Sequence, residues 1–69
     1  MKLTKVVLNY FSEKGEKQKR RMQLALACNV SFDTINRWLD QDNEKFDTSK
    51  NKKALTEVSG FIEKELFNK

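Results

Sequence analysis

The chain has 69 residues, 38% of them apolar, and carries 14 Lys plus Arg against 10 Asp plus Glu, a formal charge of +4. That length admits one small domain and excludes a two-domain enzyme or a deep substrate cavity behind a thick core. A single cysteine, Cys28, with no histidine excludes a disulfide scaffold and the structural zinc patterns, which need several ligands at defined spacing.

Proline is absent, and no stretch alternates apolar and polar residues over a strand length, so helices are expected throughout. Leu3, Val6, Val7, Tyr10 and Phe11 recur at three- and four-residue steps and predict a first helix of about three turns, stopped by Gly15. A second helix is expected from near Lys17 to Cys28, with Met22, Ala25 and Leu26 on one face and Leu24 and Cys28 beside it. Asn29 ends it, because asparagine tolerates the left-handed conformation better than any residue except glycine. Val30 follows, and Ser31 or Asp33 caps a third helix whose inward stripe is Ile35, Trp38 and Leu39. Thr34, Asn36 and Arg37 point elsewhere.

The polar run Asp40 to Asp47 has no helical period and predicts a loop, anchored in the core by Phe46. Thr48 or Ser49 then starts a last helical region carrying Ala54, Leu55, Val58, Phe61, Ile62 and Leu66. Gly60 either sits inside this helix at a cost of about 1 kcal/mol relative to alanine or breaks it into two short helices. The expected architecture is one all-α domain of four to five helices over residues 1–69. A core of this size supplies only about 3–5 kcal/mol, so a homodimer is expected, through Phe61, Leu66 and Phe67 unless those residues close the monomer core.

Arg21 to Asp40, RMQLALACNVSFDTINRWLD, meets the demands of two helices joined by a tight turn. Ala25 is small where the helices cross, Asn29 turns the chain, Val30 fills the gap, and Ile35 and Trp38 seat the second helix on the first. A plain helical hairpin uses similar spacing. This stretch resembles the helix-turn-helix of phage Cro/repressor-type and XRE-like regulators, with Asn29 where those proteins usually have glycine. The resemblance implies a lambda-repressor-like fold in which helices 2 and 3 form the motif and helix 3 lies in the major groove of double-stranded DNA, usually as a dimer on a two-fold site.

By position, the resemblance places Ser31, Phe32, Asp33, Asn36 and Arg37 on the outward recognition face, with Ser31, Asp33, Asn36 and Arg37 as base contacts. An asparagine amide pairs with adenine, and an arginine fork pairs with guanine or clamps a phosphate. Phe32 is open to two readings, a core residue or a contact to a thymine methyl. Charge is unevenly distributed: seven positive against two negative in residues 1–21, two against five in 22–48, and five against three in 49–69. Lys17, Lys19, Arg20 and Arg21 at the start of helix 2, and Lys50, Lys52 and Lys53 at the start of helix 4, are therefore the expected phosphate contacts.

The acidic middle segment motivates an alternative: a protein-interaction module, antirepressor or adaptor, that engages a partner through the acidic loop with Trp38, Phe61 and Phe67. Catalysis is not expected, since no general base near neutral pH, phosphate loop or paired ligand set is evident. No cofactor, metal or small-molecule substrate is expected either. No apolar run approaches the roughly 18–20 residues of a membrane span, and the opening apolar stretch breaks at Asn9, too early for a secretory segment. The expected setting is cytoplasmic and reducing, with Cys28 a small buried hydrophobe.

Overall fold

The computed structural model describes residues 2–67. Among these described residues five α-helices follow in order: α1 (Lys5–Tyr10), α2 (Lys17–Cys28), α3 (Phe32–Asp40), α4 (Ser49–Ser59) and α5 (Glu63–Leu66), with a 3-10 turn at Asn43–Phe46 between α3 and α4. The small all-α domain expected from the sequence is the fold observed, and among the described residues no helix is long and apolar enough to cross a membrane.

Helix α2 lies at the centre, packed against α3 and α4. Its buried positions are Arg21, Leu24, Ala25 and Cys28, an i, i+3, i+4, i+7 stripe. The inward face is therefore rotated from the expected one: Met22 is exposed, and Leu26 keeps 77% of its surface in water. Leu24 and Cys28, placed beside the face in the sequence reading, are its centre.

The α2–α3 junction forms as its residues dictate. Asn29 takes the left-handed conformation at φ 59° and ψ 47°. Its N–H donates to the Leu26 carbonyl at 3.2 Å, and the Val30 N–H donates to the Ala25 carbonyl at 3.0 Å. This paired closure satisfies the last carbonyls of α2 and turns the chain within two residues. Ser31 then caps α3, its hydroxyl accepting from the Thr34 N–H at 3.1 Å. Ile35 and Leu39 are buried, and Trp38 packs edge-on against Phe46 with ring centroids 5.5 Å apart.

Phe46 is fully buried, as expected of the loop's anchor. Two amides organise the polar run around it. Asn43 Nδ2 donates to the Trp38 and Leu39 carbonyls at the end of α3, and Asn51 Nδ2 donates to the Lys45 carbonyl at 2.7 Å. Helix α4 is capped by Thr48 and ends at Gly60, whose φ of 81° only glycine adopts without strain. The last helical region is therefore two helices, and the short α5 is fixed by tertiary contacts. Thr4 donates its N–H to the Leu66 carbonyl at 3.0 Å and its hydroxyl to the Glu65 carbonyl at 2.8 Å, and Leu3 pairs with Phe67 in an isolated bridge.

The extent of the first helix also needs correction. Helix α1 has six residues and ends at Tyr10 instead of running toward Gly15. The cause lies in α2: Arg20 donates to the Tyr10 carbonyl at 2.9 Å and Arg21 to the Phe11 carbonyl at 2.7 Å, taking the acceptors that another turn would use. Of the two roles open to Phe61, Leu66 and Phe67, closing the monomer core is the one observed: Leu66 and Phe67 are buried, and Phe61 is half-buried against Tyr10.

The left-handed turn residue carries a prediction. Asn29→Ala should lower stability by about 1–2 kcal/mol, because a plain side chain is penalised there, while Asn29→Gly should match or slightly exceed the parent. Urea unfolding midpoints of the three proteins check the order.

Candidate nucleic-acid interface

The outward face of α3 is polar and open. Asp33 and Arg37 are exposed, and Asn36 is half-buried at the edge of a cleft. Arg37 forms no ion pair with any described residue, which leaves its fork of donors available. Asp33 lies in the first turn of α3, where a negative charge suits the helix end. Ser31 is exposed but committed: besides accepting from the Thr34 N–H it shares a 2.8 Å hydrogen bond with the Thr34 hydroxyl. Its first task is therefore capping, and Thr34 joins it on the polar edge.

The cleft, of about 580 Å³, runs between the start of α2 and α3 and is lined by Gly15, Lys17, Gln18, Arg21, Phe32, Asn36 and Asp40. Of the two readings of Phe32, neither full burial nor full exposure holds: the ring is half-buried and forms an apolar wall of this cleft. Gln18 was not singled out from the sequence. The available signal was its place in the first turn of α2, next to Lys17, which lines the same opening.

Arg20 and Arg21 do not belong with the phosphate contacts. Arg21 is 2% exposed, and its guanidinium donates to Phe11 O, Ser12 Oγ, Asn36 Oδ1 and both carboxylate oxygens of Asp40. A group whose five N–H donors are all engaged inside the fold has none for a phosphate. Arg20 is held by the Glu13 carboxylate and the Tyr10 carbonyl, and its guanidinium carbon lies 4.0 Å from the centroid of the Tyr10 ring. Both arginines join α2 to the end of α1. Lys17 and Lys19 remain exposed at this end of α2.

The second basic cluster divides. Lys52 is ion-paired with Asp47 at 3.2 Å and with Glu63 at 3.4 Å, contacts that hold its ammonium above its ordinary range, Asp47 acting most strongly. It is a brace between α4, the loop before it and α5, so its expected phosphate role is corrected. Lys53 is exposed along a separate cleft lined by Ser49, Lys52, Thr56, Ile62 and Glu63. Lys50 is exposed and close enough to Cys28, at the end of α2, to oppose the rise in thiol pKa that burial causes.

Acidic side chains gather at the other end of α3, where Asp40, Asp42 and Glu44 share a crease with Lys2, Gln41 and Asn43. With nine residues at a rise of about 1.5 Å each, the start of α3 is about 13 Å from this crease. Hydrogen bonding from Arg21 holds the Asp40 carboxyl below its ordinary value, aided by the Arg21 and Lys17 charges and opposed by partial burial. A lowered folded value means that this stabilisation is complete above the ordinary value of 3.8 and is lost as pH falls through the folded one. Asp40→Asn should accordingly flatten the acid limb of stability below about pH 4, read by thermal melts across pH 2–6.

Comparison with protein-family models, with curated proteins and with solved structures yielded no match to this chain.

Proposed function

We propose that the protein is a sequence-specific regulator of transcription, of the small phage or mobile-element type, that acts in the cytoplasm by laying α3 in the major groove of double-stranded DNA. One observation carries this reading. The left-handed turn at Asn29 seats α3 on α2 through Ile35 and Leu39 and leaves Asn36 and Arg37 on an open face. A single helix of about 10–12 Å diameter fits a groove about 12 Å wide, and an arginine with no ion pair among the described residues, beside an asparagine, suits base edges. Lys17, in the cleft with Asn36 and Asp40, and the exposed Lys19 and Lys50 supply backbone contacts. The reading assigns the protein binding and no catalysis.

A second copy on a two-fold site doubles these contacts. It must use a surface other than Leu66 and Phe67. The alternative, an antirepressor or adaptor engaging a protein partner, drew on Trp38, Phe61 and Phe67. Phe67 is buried and the other two are half-buried against the core, which removes most of its apolar contact.

Selection from a pool of random duplexes, followed by anisotropy titration of the enriched sequence, tests the proposal. Arg37→Ala should weaken binding by about 1–3 kcal/mol and relax preference at one position. Lys17→Ala and Lys50→Ala should weaken all sequences alike and each reduce the log–log salt slope by about 1. Lys52→Gln should leave that slope unchanged, because its charge is already neutralised within the fold. If no sequence is enriched, or Arg37→Ala and Asn36→Ala both bind as the parent does, the regulator reading is wrong.

A further inference from the structure

The most constrained polar group in the molecule faces the proposed interface from behind. Arg21 is almost entirely buried, and its donors are fully assigned: Nε to the Phe11 carbonyl at 2.7 Å, one terminal nitrogen to Asn36 Oδ1 at 2.9 Å and Asp40 Oδ2 at 3.2 Å, the other to Ser12 Oγ at 3.1 Å and Asp40 Oδ1 at 3.0 Å. The planar fork is thus held from the two residues that follow α1 and from two positions one turn apart on α3. It cannot turn without leaving several buried donors unsatisfied.

That rigidity passes to Asn36. A guanidinium only donates, so the amide atom facing it must be the oxygen, and the orientation of Asn36 follows from chemistry alone. With Oδ1 turned inward, the Nδ2 group and its two N–H donors are left for the open side of the cleft. Reversing the amide would set N–H against N–H next to a buried cation.

We infer that Arg21, braced by Asp40, is a positioning residue that fixes Asn36 as a hydrogen-bond donor, so that Asn36 selects a base presenting acceptors in the major groove, guanine before the others. This rests on the DNA-binding reading above and gives one column of its recognition sequence a chemical identity. Guanine offers O6 and N7, both acceptors, where cytosine offers an N4 donor and adenine adds an N6 donor to its N7 acceptor. The pairing of asparagine with adenine, expected when Asn36 is considered by itself, uses the amide oxygen that Arg21 holds.

The test is selection from a random duplex pool with the parent protein, Asn36→Asp and Asp40→Asn. Aspartate at 36 keeps the contact with Arg21 and has no donor to offer. It should remain folded, and it should convert one guanine column to cytosine, with a change of about tenfold or more in the guanine-to-cytosine ratio and the other columns retained. Asp40→Asn, at a side chain 54% exposed, removes one brace without opening the core and should weaken the guanine preference in that same column by a few-fold. A purely structural role for the Arg21 cluster would lower affinity for every sequence alike and leave each column as it was. The inference is overturned if the parent's Asn36-dependent column is adenine or cytosine, or if Asn36→Asp selects the parent's base at every position. Either result leaves the regulator reading standing, whereas failure of the parent to enrich any sequence ends both.

Discussion

A guanidinium buried in an 8.1 kDa domain governs how the first half of this chain is arranged. Removing Arg21 from water carries a desolvation cost that only complete hydrogen bonding offsets. The fold meets that requirement by bringing together the end of α1, Ser12, and two residues of α3. Length of α1, rotation of α2 and seating of α3 are therefore linked through one side chain: α2 contributes the donors, the segment that ends α1 and helix α3 contribute the acceptors, and none can shift independently. The ion pair with Asp40 is only half inside, since the carboxylate remains partly in water, which spares the protein from burying two charges.

The same constraint explains how the sequence could be read. Local chemistry was legible wherever one residue settles the backbone. Asn29 marks the left-handed turn through a preference that operates within a few residues, and the caps were narrowed to Ser31 or Asp33 and to Thr48 or Ser49, of which Ser31 and Thr48 serve, while Gly60 left a continuous and a broken helix both open. Phe46 was legible as the anchor of a polar run because it is the only large apolar residue there. The face of α2 was not. Arg21 stands in the run KQKRR, where charge suggests solvent, and Met22 with Leu26 offers an apolar stripe that competes with Leu24 and Cys28. The i, i+3, i+4, i+7 spacing of Arg21, Leu24, Ala25 and Cys28 was present, but it has meaning only once the acceptors that surround the arginine are known. Those acceptors lie up to 19 positions away in sequence.

The candidate site was legible in outline and misread in electrostatics. Asn36 and Arg37 stand on an accessible helix face, as their positions implied. The basic clusters do not act as clusters, because Arg20, Arg21 and Lys52 bond within the domain and leave Lys17, Lys19, Lys50 and Lys53 facing solvent. Net charge overstates the capacity for anionic partners when cations serve as internal braces, and a run of like charges in sequence conceals which members they are.

The antiparallel bridge between Leu3 and Phe67 bears on the order in which the chain assembles. Helix α1 with six residues and α5 with four are each too short to hold themselves, and their mutual contacts join residues 61 positions apart. Closing so long a loop is unfavourable until something inside it is ordered. The hairpin of α2 and α3, built from near neighbours with its own turn and cap, is the natural nucleus, with α4 added next. The two ends then clasp last and unclasp first, so the surface that includes α3 outlasts the fastening of the termini.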